Sequence, residues 1–137
     1  MTGYKAVILS KPQVQILVKH ARDTVPNESC AILFGSTING DVLVKEIFLT
    51  KNIEGSPVNF TIAPEELIFA YKTAEEKKLD VIGIFHSHPD SVAYPSPTDK
   101  KYMETNPVPW IIFSNLNNEF KAYIYDSGLL PVPVKIL

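Results

Sequence analysis

The side chains whose types and spacing could do chemistry together are His86, His88 and Asp99. The two histidines stand two positions apart, at the end of the apolar run Val81-Ile82-Gly83-Ile84-Phe85. That run reads as a short buried strand. On an extended chain residues i and i+2 share a face, so both imidazoles can point at one spot. Pro89 stops the strand. A loop then leads to Ser96-Pro97-Thr98-Asp99, which has the form of a helix opening. A carboxylate from Asp99 would complete three protein ligands of the N, N, O type. One tetrahedral position would remain for water, as in a catalytic rather than a structural zinc site.

Each piece also has a plainer reading. Two histidines at a strand end can be surface residues, and Ser-Pro-Thr-Asp can be a helix start and nothing more. The combination is what carries weight. Two of the chain's three histidines fall in phase at the end of one strand, with a carboxylate one loop away. Helix capping by Ser96 and Asp99 does not account for paired histidines. Other zinc patterns fail: His-Glu-x-x-His is absent, and the deaminase, ribbon and finger signatures need more than the single cysteine present. His20, near a helix end, complements the helix dipole and receives no site role. Cys30 reads as a small buried apolar residue that could lie near the metal, and a Cys-His nucleophile pair is the less economical account. Glu28, taken alone, reads as an exposed charge at a strand start.

The elements that must position these residues follow from periodicity and punctuation. Tyr4 to Leu9 is a short strand. Ser10 and Gln13 fit a capping box, and Val14, Leu17, Val18 and Ala21 give helical spacing over 11–23. Ser29 to Gly35 is a strand ending at a Gly-Ser turn. Asn39-Gly40 marks a tight hairpin, returning along a strand from Asp41 to Thr50. Val58-Asn59-Phe60-Thr61-Ile62 reads as a short edge strand. Pro64, with Glu65 and Glu66 behind it, opens a second helix whose inward stripe is Leu67, Ala70, Tyr71 and Ala74. A short helix from Ser96 to about residue 105, strands at 110–113 and 120–125, and an extended tail at 130–137 complete the chain. Pro131 and Pro133 confine that tail to an edge or a surface. This predicts an α/β fold: a mixed sheet of about seven or eight strands with helices on both faces, in one domain over 1–137.

Composition narrows the function classes. A net charge of -2, with Lys and Arg spread along the chain, offers no footprint for nucleic acid. A single cysteine excludes an internal disulfide framework and suits a reducing compartment. There is no signal-peptide pattern and no apolar run of the roughly 18 residues that a membrane span needs, so the cytoplasm is expected. Oligomeric state is left open.

Glu28, then His86-Ser87-His88-Pro89, six residues, Ser96, two residues and Asp99 together resemble the signature of the JAMM (MPN-plus) metalloprotease family. Asn27 to Gly35, Phe60 to Pro64 and Val81 to Pro89 extend the likeness over almost the whole chain. The resemblance implies a cytidine-deaminase-like mixed sheet flanked by helices, with one zinc ion held by His86, His88 and Asp99. It implies Glu28 as general base and Ser96 as a stabiliser of the tetrahedral intermediate. Family members hydrolyse the bond after the C-terminal glycine tail of ubiquitin or ubiquitin-like modifiers, and some bacterial relatives process sulfur-carrier proteins. The short His88-to-Ser96 gap suggests a minimal prokaryotic-type enzyme. Val58 to Ile62 is the candidate edge for binding a substrate tail by strand addition. Two alternatives remain: a non-catalytic interaction module, and an enzyme releasing a C-terminal cysteine or other small adduct from a sulfur carrier.

Overall fold

In a computed structural model, which describes residues 3–137, eight strands form one mixed sheet with helices on both faces. The elements are β1 (Ala6–Leu9), α1 (Lys11–Thr24), β2 (Cys30–Ile38), β3 (Asp41–Thr50), α2 (Pro64–Glu76), β4 (Asp80–His88), α3 (Pro97–Met103), β5 (Trp110–Ser114), β6 (Phe120–Tyr125), β7 (Leu129–Val132) and β8 (Val134–Ile136). The strand order is β7-β6-β5-β4-β2-β3-β1-β8. β4 runs parallel to β5 and antiparallel to β2. The outermost strands β7 and β8 are separated in sequence only by Pro133, so the sheet must curl until its ends approach. The proline-bearing tail therefore supplies both edges, where a missing N–H does least harm.

Side-chain alternation along β2 divides the core. Ala31 and Leu33 pack with Leu17 and Ala21 of α1, together with Val7, Phe85 and Ile111. Cys30, Ile32 and Phe34 point the other way, against Ala70 and Ala74 of α2. Full burial of a large apolar chain is worth about 1.5–3 kcal/mol, which Leu17 supplies for α1, whereas α2 buries only Ala70 and Ala74, with Leu67 partly buried beside them. α1 begins with the expected capping box: Gln13 N–H donates to Ser10 Oγ, and Ser10 N–H to Gln13 Oε1. The hairpin at Asn39-Gly40 has both residues at positive φ, as a primed turn requires.

Four local expectations need correction. The strand predicted to stop at Gly35-Ser36 runs on to Ile38. Gly35 sits instead where the register with β3 shifts, and a Cβ there would lie 1.8 Å from the Leu43 carbonyl oxygen. The glycine marks a close approach within the sheet, not a turn. Val58 to Ile62 is not an edge strand: only an isolated bridge, Asn52 to Ile62, is formed. Side chains tether this segment, because Thr61 N–H donates to Asn52 Oδ1, and Val58 and Asn59 N–H to Ser56 Oγ. Tyr71 lies outside the buried stripe of α2 and is 56% exposed, since Ala70 and Ala74 already fill the helix-to-sheet contact. His20 does more than face a helix dipole, for its Nε2–H donates to the Cys30 carbonyl at 2.9 Å and joins α1 to β2.

Candidate active site

β4 carries Ile84, His86 and His88 toward the side of the sheet where α2 and α3 lie, while Phe85 enters the α1 core. Cys30 is in register with His86, and Glu28 precedes it by two residues, so Glu28 approaches the imidazoles from the segment that leads into β2. α3 delivers Asp99 from its first turn. There Ser96 Oγ accepts the Asp99 N–H at 3.1 Å, and the Ser96 N–H donates to Asp99 Oδ2 at 2.9 Å. This reciprocal cap fixes both side chains at once.

The groups converge closely. His86 Nε2 and His88 Nε2 are 3.0 Å apart, and Asp99 Oδ2 is 3.1 Å from each. Glu28 Oε2 stands 4.0 Å from His88 Nε2. All four residues are buried, Glu28 to 3% exposure, which overturns its reading as a solvated charge. Glu28, His86 and His88 also form a group whose candidate ligand atoms lie within 4.8 Å of one another.

The donor set fits a cation. His88 Nδ1 is 2.8 Å from the Val92 carbonyl, which can only accept, so Nδ1 carries the proton. In the neutral ring Nε2 is then a lone-pair acceptor, facing the acceptor oxygen of Asp99 at 3.1 Å. Two acceptors at that distance need a positive charge between them, either a proton or a metal. A tetrahedral ion with bonds of about 2.0–2.1 Å separates its ligands by roughly 3.3 Å, near the spacings found. His86 Nδ1 and Glu28 Oε1 are buried with no hydrogen-bond partner. Unpartnered polar atoms in a buried place are uncommon and call for an explanation, which a bound cation would supply in part at this cluster.

The two carboxylates differ in state. Burial alone would raise Asp99, but the imidazoles of His86 and His88 beside it and the hydrogen bond from the Ser96 N–H hold it well below the usual carboxylate range. Burial pushes Glu28 from the ordinary 4.5 up to about 8, His88 opposing and the Asp99 carboxylate reinforcing the rise. For His88 the burial penalty is overcome by Asp99 and Val92, which pull its pKa upward. Burial lowers that of His86. The two carboxyls thus differ in proton affinity, that of Asp99 held low by its imidazole partners and that of Glu28 raised by burial.

A cleft of ≈ 380 Å³ opens beside these groups, lined by Glu28, Pro57, Val58, His88, Tyr94 and Ser96 among others. An apolar hollow of ≈ 200 Å³ lies nearby, between Phe60, Ile62, Leu67, Ile84, Tyr102 and Trp110. Phe60 links the two regions by stacking on the His86 ring, centroids 4.9 Å apart. Glu28, His86, His88, Ser96 and Asp99 therefore lie together, with Glu28, His88 and Ser96 lining this cleft. Cys30 is fully buried, accepts from Thr50 Oγ1 at 3.2 Å, and has its thiol pushed up to about 11 by burial. That is the state of an inert thiol, not of a nucleophile.

Sequence reasoning missed Val92, whose backbone carbonyl sets the His88 tautomer, because a backbone acceptor leaves no mark in residue type. It also missed the ring contacts of Phe60 and Trp110 with His86. The Ser87 hydroxyl, which accepts from Ser29 N–H at 2.9 Å and joins the Glu28 segment to β4, was passed over as well.

Fold and site together define the class, an α/β protein built around one strand end with a cluster compatible with a metal ion. The chain belongs to the prokaryotic homologs of the JAB domain, whose family profile matches residues 10–124. It is 39% identical over 110 residues to a desampylase from Pyrococcus furiosus, a match covering 80% of this chain and 75% of the relative. It is 30% identical to a probable TtuB-protein conjugate cleaving protease from Thermus thermophilus, covering 92% and 82%. A CysO-cysteine peptidase from Mycobacterium tuberculosis is 27% identical, covering 96% and 91%. The solution structure of a Desulfitobacterium hafniense protein superposes with a TM-score of 0.87 at 28% identity, covering 96% of this chain and 92% of that one. No helix among the described residues is long and apolar enough to cross a membrane.

Proposed function

We propose that this chain is a zinc metallopeptidase. Its reaction is hydrolysis of the isopeptide or peptide bond after the C-terminal glycine tail of a ubiquitin-like or sulfur-carrier protein, with residues 1–137 acting as one domain. The single observation that supports this most is the triangle of His86 Nε2, His88 Nε2 and Asp99 Oδ2, with sides of 3.0 to 3.1 Å and Glu28 beside it. Those three residues would hold the zinc, and three protein ligands leave a position open, as catalytic zinc sites do. When bound, the ion supplies Lewis acidity and lowers the pKa of water from 15.7 to about 7.

The remaining work falls to the chain's own side chains. Glu28 accepts a proton from the attacking water and hands it to the leaving nitrogen, which departs poorly as an anion. Ser96 Oγ uses a lone pair to accept the Asp99 N–H, so its own O–H is left to donate to the developing oxyanion. One such donor is worth about 3 kcal/mol. Val58 borders the cleft, and Phe60, Thr61 and Ile62 border the apolar hollow, so an extended tail would lie along 58–62, with Asn59 between them. With no strand there, the tail would pair with a tethered loop.

The names of the relatives, a desampylase and a TtuB-protein conjugate cleaving protease, support a protein-tail substrate. The likeness to a CysO-cysteine peptidase favours a second reading within the same chemistry, release of a C-terminal cysteine from a sulfur carrier. The single buried cysteine suits a reducing compartment, and we place the enzyme in the cytoplasm.

The test incubates the protein with ubiquitin-like and sulfur-carrier fusions ending in Gly-Gly and reads product masses. Cleavage after the terminal glycine, abolished by a chelator and in Glu28→Ala, is the expected result. Equal cutting by wild type and Glu28→Ala would remove Glu28 from the mechanism. Metal binding without cleavage of any fusion would leave the non-catalytic module.

A further inference from the structure

Glu28 stands just outside the sheet that carries it. From Ser29 onward the chain is tied to β4, with Ser29 N–H donating to Ser87 Oγ at 2.9 Å and Ser87 N–H to the Ser29 carbonyl at 3.1 Å. The backbone groups of Glu28 itself turn elsewhere. Its N–H donates to the Ser56 carbonyl at 2.8 Å, and its carbonyl accepts from Asn52 Nδ2 at 3.0 Å. Both partners belong to the loop between β3 and α2.

The Asn52 amide is the hub of that loop. Its other N–H donates to the Asn59 carbonyl at 3.0 Å, and its Oδ1 accepts from the N–H groups of Glu54 and Thr61, both at 3.1 Å. A primary amide has two donors and two acceptor lone pairs, so every valence is used. The residue is 8% exposed, which makes an unmet valence costly. Only one orientation works, since the flipped amide would set oxygen against two carbonyls and NH₂ against two N–H groups. The loop held in this way also brings Val58 to the cleft and Phe60 onto the His86 ring. None of the four hydrogen bonds reaches His86, His88 or Asp99.

We propose that Asn52 is a positioning residue which clasps the Glu28 backbone to the 54–61 loop and so sets where the Glu28 carboxylate stands relative to the paired imidazoles. The inference rests on the reading of Glu28 as proton carrier. Asn52→Asp is the informative variant. It preserves size and keeps an oxygen for the Glu54 and Thr61 N–H groups, but presents a second oxygen to the carbonyls of Glu28 and Asn59. The loop is pushed off Glu28 while the ligand set is untouched.

The experiment measures zinc stoichiometry, zinc affinity and steady-state release of aminocoumarin from a ubiquitin-like protein ending in Gly-Gly. Wild type, Asn52→Asp, Glu28→Ala and the double variant are compared. Asn52→Asp keeps one zinc bound as tightly as wild type while kcat falls by on the order of 10²-fold, the cost of displacing a reacting group by about an ångström. In the Glu28→Ala background the same substitution changes the residual rate by no more than about twofold, because the group it positions is gone. Multiplicative losses, or an unchanged kcat in Asn52→Asp, would overturn the proposal. Asn52→Ser, which keeps a single hydroxyl donor, replaces Asn52→Asp if that variant does not fold.

Failure of wild type to release coumarin would count against the hydrolase reading alone. The clasp is then judged by amide exchange. Glu28 and Thr61 amides must exchange faster in Asn52→Asp than in wild type, with α1 amides unchanged. Equal exchange would end the idea.

Discussion

Glu28→Gln should abolish turnover and, in metal-free protein, gain stability relative to wild type as the solution is made more alkaline. The carboxyl is buried, and its pKa rises from the ordinary 4.5 to about 8, with burial the largest cause. The sign follows from proton counting. Between those two values the unfolded chain has released the proton and the folded chain still holds it, so folding loses ground with each pH increment. Below 4.5 both states are protonated and there is no penalty; above about 8 the penalty is complete. At about 1.36 kcal/mol per pH unit the full penalty is roughly 4–5 kcal/mol. An effective interior dielectric well above that of dry protein brings the expected effect to about 2–4 kcal/mol. Glutamine never ionises, and its amide is no better partnered than the protonated acid, because Glu28 Oε1 has no hydrogen-bond partner. Urea unfolding in a chelator at pH 4.5 and pH 8.5 is the assay. The variant-minus-wild-type stability should be near zero at the lower pH and about 2–4 kcal/mol at the higher. Taking the difference removes the contributions of Asp99 and His88 except for their coupling to Glu28, which is part of the effect being read. A difference that stays flat across that range would refute the claim that burial strains this carboxylate. A zinc ion nearby should shrink the difference, since a cation favours the ionised form.

Asp99→Asn should weaken zinc binding by more than about 10²-fold, beyond what loss of an outer partner causes, whereas Glu28→Gln leaves the ligand triangle whole; titration calorimetry with Zn²⁺ separates the two. Zinc at about 100 times its Kd should stabilise wild type by about 2.7 kcal/mol and Asp99→Asn far less, read from chemical unfolding. Gly35→Ala should destabilise by about 1–3 kcal/mol or prevent folding, since its Cβ would overlap the Leu43 carbonyl oxygen. A stability equal to wild type in urea would show that β2 and β3 can separate there without cost.

The parts of the site that follow short-range rules were legible before any coordinates. Two histidines at i and i+2 on a strand share a face by geometry, and Ser96 and Asp99 cap a helix by a local reciprocal bond. The hairpin at Asn39-Gly40 and the capping box at Ser10 are local in the same sense. At two places with more than one local reading, sequence reasoning chose wrongly. Gly35 looked like a turn and is a point of close strand approach. Val58 to Ile62 had strand composition, but the N–H groups of Val58, Asn59 and Thr61 donate to the side chains of Ser56 and Asn52.

What the sequence settled alone is the chemistry on offer: which imidazoles, carboxylates and hydroxyl exist, and which element presents each. Tertiary structure decided their use. Pairing of β2 with β4 brings Glu28 within 4.0 Å of His88, burial raises its proton affinity, the Val92 carbonyl sets the His88 tautomer, and a distant amide grips the glutamate's backbone. Proximity such as that of Ser29 and Ser87, 58 positions apart, and exclusion of water are properties of packing, which no spacing rule along the chain can encode.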